Sequence, residues 1–230
     1  WLLKFAGSGA IQWQKTYGGV HWPRKYSDER VVGVEEIPGK GYLVAGNVSG
    51  SVGWDEYFST SSDLLLFRVD LSGAVVWKKT LGGDEEDSLR SARATADGGF
   101  IVSGTTHSFS PDSSAEFFSL KLDSAGSVLW RRTYAGSAFA GASIRPAADG
   151  GYFLGGDVVA SGASWLDWRI MRLAPDGTLG GISGNVGGEM EEPTLKVKSS
   201  GVTPKTSAAA PVSVPLAGSV AALQIASETP

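Results

Sequence analysis

Phe67-Arg68-Val69-Asp70-Leu71-Ser72-Gly73-Ala74-Val75-Val76-Trp77 reads as a strand, a turn and a second strand, and the chain writes this passage three times. An earlier copy runs from Leu3-Lys4-Phe5 through Gly9 to Trp13, and a later one from Leu120-Lys121-Leu122 through Gly126 to Trp130. In each copy the tryptophan follows the glycine by four residues. Phe67 and Val69 alternate with Arg68 and Asp70, the period-two pattern of a half-buried strand. Tandem repetition of such pairs predicts an all-β array built from one recurring unit.

A second passage precedes the first in each unit. Gly39-Lys40-Gly41 leads into Tyr42-Leu43-Val44-Ala45-Gly46, Asp97-Gly98-Gly99 into Phe100-Ile101-Val102-Ser103-Gly104, and Asp149-Gly150-Gly151 into Tyr152-Phe153-Leu154-Gly155-Gly156. Asp-Gly between two strand-like runs signals a hairpin, here expected as a type I′ turn with positive φ at both central residues. The strands that follow are apolar on both faces, as in a sheet covered on both sides. Four short strands at this period match the blade of a β-propeller.

The expected fold is therefore all-β, a partial β-propeller-like array of four-stranded blades with an extended C-terminal tail. A hairpin at residues 1–17 precedes fuller units at 28–81, 88–134 and 141–181. Inserted loops around His21-Trp22-Pro23 and from Ser49 to Ser62 lengthen the first interval. Gly181 stands where the tryptophan of the last unit belongs, which marks the end of the array. Closed propellers use roughly 4–8 blades. About three and a half blades call for further blades, from the same longer chain or another copy. A four-bladed ring completed by Thr194–Lys198 and Val220–Ala226 as strands is the alternative.

Residues 182–230 read as a linker or stalk, rich in Ser, Thr, Ala and Pro. The 8 Trp, 6 Tyr and 9 Phe all lie between Trp1 and Trp168, so nothing bulky remains to build a core there. The 32 glycines in 230 residues suit many tight turns. A net charge of −4 without a basic stripe gives no basis for nucleic-acid binding. Cysteine is absent, which removes disulfides and thiolate metal sites. No apolar run approaches the ~20 residues of a membrane-spanning helix. The chain opens at Trp1, inside a repeat, and reads as a piece of a longer protein whose leader would lie outside it.

The Asp-Gly-Gly-Phe-Ile-Val-Ser-Gly passage, the Lys/Arg-x-Asp-x-x-Gly turn and Trp77-Lys78-Lys79-Thr80-Leu81-Gly82-Gly83 together resemble a group of tandem propeller-like repeats, each about 50 residues long. These repeats occur in large, mostly uncharacterised exported or surface proteins of bacteria and archaea. The resemblance covers residues 1–181. It implies an extracellular or cell-surface location, often with a Ser/Thr/Pro-rich stalk, and supplies no catalytic residues. Departures are Ala6 and Ala174 in place of the turn Asp, Ala135 for the first Gly of a Gly-Gly pair, and the missing last Trp. The Gly-x-x-x-Trp spacing is also similar to the tryptophan-docking motif of quinoprotein-type propellers. There the indole lies over the neighbouring blade, which implies a structural role for Trp13, Trp77 and Trp130 with Gly73 and Gly126.

Other candidates meet plainer readings. Asp84-Glu85-Glu86-Asp87 offers Asp84 and Asp87 as Ca²⁺ ligands, but the alternate acidic spacing of a calcium loop is missing, so a solvated loop is expected and no cofactor. Asp70 and Asp123 suit turn capping. Asp63, Glu116 and Asp167 recur just before strands, where turn anchoring or edge protection is expected. A sialidase-type Asp-box places Asp two before Gly and Trp three after, a register this chain does not keep. His21 and His107 are the only histidines, too few for a zinc site. No Gly-x-Ser-x-Gly elbow or phosphate-binding glycine motif occurs. Asn47-Val48-Ser49 is a formal glycosylation sequon. The inserted loops carry Trp22, Tyr26, Trp54, Tyr57 and Phe58, amphipathic contact residues and the binding candidates. The expected function is a non-catalytic interaction or scaffold module contacting protein or glycan. A catalytic propeller, quinoprotein-like or carbohydrate-active, and a purely structural surface spacer are the alternatives.

Overall fold

The hairpin turns are the most regular feature of the computed structural model, which describes residues 1–18, 27–50, 62–110, 113–134, 138–159, 166–180 and 196–198. In the Asp70 turn, Asp70 N donates to Ala74 O at 2.9 Å and Gly73 N to Asp70 O at 3.0 Å. Asp123, Thr95, Ala147 and Ala174 open turns with the same pair of bonds. Only the glycine of each takes positive φ, including Gly98 at 80° and Gly150 at 85°. The type I′ expectation for Asp97-Gly98 and Asp149-Gly150 is thus corrected. These are three-residue loops, a type I turn closed by a left-handed glycine. Asp97, at the negative φ of a type I turn, caps the loop, its Oδ1 accepting from Gly99 N at 3.0 Å and Thr95 Oγ at 2.5 Å.

The strands form antiparallel sheets, and no helix occurs among the described residues. β1 (Leu2–Phe5) and β2 (Ile11–Lys15) make a two-stranded hairpin. β3 (Ser27–Ile37), β4 (Gly41–Gly50), β5 (Ser62–Val69) and β6 (Val75–Gly82) follow as a meander. To β6 is added β14 (Lys196–Lys198), a described stretch of the Ser/Thr/Ala/Pro-rich segment. The second sheet contains β7 (Asp87–Ala94), β8 (Phe100–Thr106), β9 (Glu116–Leu122) and β10 (Val128–Tyr134). The third contains β11 (Ala138–Pro146), β12 (Tyr152–Val159) and β13 (Leu166–Leu173). Four strands were expected in this last unit. Among the described residues of this unit, which stop at Gly180, its fourth is seen only as a bridge between Leu173 and Leu179. Thr178-Leu179-Gly180 lacks the β-branched and aromatic run that builds β6 and β10.

Three apolar clusters join the sheets face to face. Leu43, Leu64, Leu66 and Leu81 of the first sheet pack with Leu89, Phe100, Val102 and Leu120 of the second. Ile101, Phe117 and Tyr134 of the second sheet pack with Ile144, Tyr152, Leu154 and Leu173 of the third. Leu2 and Tyr17 of the hairpin region cover Val44, Phe67 and Val69 of the first. β8 therefore buries Phe100 and Val102 on one side and Ile101 on the other, which is why it is apolar throughout.

Polar stitches add register between the first and second sheets. Asn47 Nδ2 donates to Leu89 O at 3.2 Å, and Leu89 N donates to Asn47 Oδ1 at 2.6 Å. Glu35 of β3 also pairs with Arg93 of β7 at 3.6 Å. With both ends of its amide engaged, Asn47 is a structural residue, and the sequon reading of Asn47-Val48-Ser49 is corrected. A glycan on Nδ2 would cost that paired contact.

Candidate functional site

Each of three tryptophans rests on the turn of the next unit. Trp13 Nε1 donates to Leu71 O at 2.9 Å, Trp77 Nε1 to Ser124 O at 3.1 Å and Trp130 Nε1 to Pro175 O at 3.1 Å. Beneath the rings lie Gly73, Gly126 and Gly177, with φ of 76°, 77° and 81°. A Cβ there would meet the indole at 3.2, 3.0 and 2.6 Å respectively. Glycine is therefore needed twice, for the left-handed backbone and for the ring's approach. An aromatic near the start of the next unit's second strand forms a wall. Trp13, Trp77 and Trp130 meet Tyr42, Phe100 and Tyr152 edge to face at 6.4, 6.0 and 5.9 Å.

The indoles are half-buried lids on these turns rather than wedges in the core. A tyrosine four residues further on adds a second bond in two of the three places. Tyr17 Oη donates to Gly73 O at 2.7 Å, and Tyr134 Oη to Gly177 O at 2.8 Å. Burial first, and then the nearby Asp70, push the Tyr17 hydroxyl up to about 12. Sequence reading missed both tyrosines. The signal was Trp-x-x-x-Tyr at Trp13–Tyr17 and Trp130–Tyr134, interrupted by Leu81 in the middle unit.

The recurring charges are spent on the same turns. Asp70 Oδ1 accepts from Ser72 N at 2.8 Å and Ala74 N at 2.9 Å, and Asp123 Oδ1 from Ala125 N and Ser127 N at 2.8 Å each. Where Ala174 replaces the turn Asp, Asp176 accepts from Thr178 N instead. Bonds from Ser72 hold Asp70 below the usual carboxylate range, and those from Thr178 do so for Asp176.

The Lys/Arg of one motif reaches the Asp-Gly-Gly of the other. Buried Lys121 pairs with Asp97 at 2.8 Å and also donates to Thr95 Oγ and Leu122 O. Arg172 pairs with Asp149 in the third sheet. In the first sheet the turn is Gly39-Lys40-Gly41, without an Asp, and Arg68 donates to Lys40 O. Burial opposes ionisation at Asp97, but bonds from Lys121, Thr95 and Gly99 outweigh it and bring its pKa to about 2.

Of the two Ca²⁺ candidates, Asp84 is exposed and Asp87 is fully buried. Asp87 accepts from Thr106 Oγ at 2.5 Å through Oδ1, and from Gly83 N at 2.7 Å and Ser108 Oγ at 2.8 Å through Oδ2. It organises the loop between the first two sheets. Burial pushes its carboxyl up against these bonds, and neighbouring Asp63 adds to the push. Asp63 and Glu116 are themselves buried, on β5 and β9, which lie inside their sheets. Edge protection is therefore corrected for both, since neither strand is an edge. His107 Nδ1 lies 2.8 Å from Ser113 O. Among the described residues, no group of three or more His, Asp or Glu is placed to hold a metal ion.

Trp22, Tyr26, Trp54, Tyr57 and Phe58, together with His21, lie outside the described residues. A groove of about 200 Å³ lies beside β1. Its lining includes Trp1, Leu2, Tyr17, Val44 and Phe67, with the charged Glu29 and Lys78. Comparison with protein-family models finds no match to the chain, and comparison with curated proteins finds no similar relative.

Proposed function

We propose that the chain is a non-catalytic, β-propeller-like interaction or scaffold module of an exported or cell-surface protein, its stacked sheets acting as blades. The observation that carries this reading is the indole-on-turn contact, repeated at three successive steps with the same donor, acceptor and glycine. A repeat whose shared polar and aromatic groups are spent on stacking supplies a rigid scaffold, and contact chemistry then falls to parts that differ between units. The inserted loops with Trp22, Tyr26, Trp54, Tyr57 and Phe58 are such parts, and so is the groove beside β1. The exported location follows from the repeat resemblance and the stalk-like segment after residue 181.

The test is an absorbance spectrum of the purified protein combined with binding to glycan and surface-protein arrays. The expected result is array binding that Trp22→Ala and Trp54→Ala reduce by tenfold or more, with no bound chromophore. A stoichiometric chromophore, or turnover of a glycoside substrate, would overturn the reading.

A further inference from the structure

The outer edge of β6 changes character along its length. Lys78 and Lys79 occupy its middle, and charged side chains of this kind keep an edge from pairing with another strand. Thr80, Leu81 and Gly82 follow, buried and uncharged, so nothing there discourages a further strand. β14 adds at that end and stops short of the lysines. Its register is Lys196↔Gly82, Val197↔Leu81 and Lys198↔Thr80.

The second sheet has a matching edge. β10 also borders its sheet, and Arg131-Arg132 are followed by buried, uncharged Thr133 and Tyr134. Among the described residues, no strand pairs with β10 on that side. What separates the two edges is the loop beyond them. β6 runs through Gly83 into Asp84-Glu85-Glu86, three exposed acids, and the antiparallel register sets Lys196 at that end. The loop is tied in place, because Glu85 N donates to Ser108 Oγ at 3.1 Å and His107 N to Glu86 O at 2.9 Å. The stretch after β10, Ser137-Ala138-Phe139-Ala140, carries no charge. Backbone pairing supplies affinity in a strand addition, and charge beside the edge then selects which segment is taken.

We propose that the Thr80–Gly82 edge and the acidic run beside it form a strand-accepting site for extended segments with lysines on either side of an apolar residue. Lys196-Val197-Lys198 is its built-in occupant, and a like segment of a partner protein displaces it. With three paired residues the resident strand is at the short end of strand lengths, so its hold is weak enough to be exchanged. The site shares no residue with the groove beside β1 and does not depend on the sheets acting as blades.

A fluorescent peptide of residues Thr194–Gly201 tests this by anisotropy against two forms of the chain, native and the triple variant Lys196→Glu, Val197→Pro, Lys198→Glu. The peptide should bind the variant about tenfold more tightly than the native chain, whose edge is already taken. Glu85→Lys and Glu86→Lys added to that variant should weaken binding about tenfold, and high salt should act in the same direction. Amide exchange at Thr80–Gly82 should quicken in the triple variant, with circular dichroism confirming its fold. Equal binding to both forms, no binding to the variant, or unchanged exchange at Thr80–Gly82 overturns the proposal. A native chain that is dimeric, but monomeric as the triple variant, overturns the built-in occupancy, because the strand would then come from a second copy.

Discussion

Trp77→Ala removes the middle lock, and its cost can be assembled from the contacts. The side chain is half-buried against the second sheet and its turn. Half of the ~200 Å² of a tryptophan, at ~25 cal/mol per Å², is about 2.5 kcal/mol. The bond to Ser124 O adds about 0.5–1 kcal/mol, at the low end because it is exposed. The edge-to-face contact with Phe100 adds a similar amount. The expected loss is about 3.5–4.5 kcal/mol, read as a fall in the urea midpoint by circular dichroism at unchanged slope. Trp77→Phe should recover about half, since area returns but the N–H does not. Coupling is the stricter criterion. Gly126→Ala drives a methyl toward the same ring, so the double variant should cost clearly less than the two singles added. A loss under about 1 kcal/mol for Trp77→Ala, or strict additivity with Gly126→Ala, would refute the docking role.

Gly177→Ala and Gly9→Ala impose similar backbone strain, φ 81° against 84°, but only Gly177 lies beneath an indole. Gly9→Ala should cost about 1 kcal/mol and Gly177→Ala about 1–2 kcal/mol more, compared by thermal unfolding of matched samples. Tyr134→Phe should lose about 1–2 kcal/mol, because Ser119 Oγ and Gly177 O both lose a buried partner; an unchanged midpoint in urea would show the hydroxyl to be idle. Asp97 has a folded pKa of about 2 against an ordinary 3.8, so it stabilises above about pH 4 and that contribution fades as pH falls toward 2. Asp97→Asn should flatten the acid limb of a stability-versus-pH curve by about 1 kcal/mol after allowance for solvent screening, and an identical limb would contradict the tie to Lys121. Asp87 has the opposite sign, its raised pKa costing stability as pH climbs through it.

The strand order and the repeat were readable because alternation and turn glycines are local signals. Gly73, Gly126 and the three tryptophans carried their own spacing, so the site built on them could be located before any coordinates. What escaped was set by neighbours distant in sequence. Lys121 reads as one more outward charge in an alternating strand, yet it is buried because Asp97 and Thr95 meet it from the previous turn. Asn47 reads as a sequon until Leu89 is placed beside it. The Asp-Gly turns read as type I′ in sequence because two-residue and three-residue loops share that dipeptide. Only the pattern of closing bonds separates them. Phe153 sits in a strand that reads as apolar on both faces, yet it is 47% exposed because no described sheet covers that side of the third.

Nuclear Overhauser contacts from the benzenoid protons of the indole rings give the most direct check on sheets locked by indoles on successive turns. Trp13, Trp77 and Trp130 should each show cross-peaks to the α-protons of Gly73, Gly126 and Gly177 in that order, with those protons moved upfield by the ring currents. Gly9, with no ring over it, should keep an ordinary shift. Ordinary shifts at all four glycines, with no such cross-peaks, would contradict the stacking.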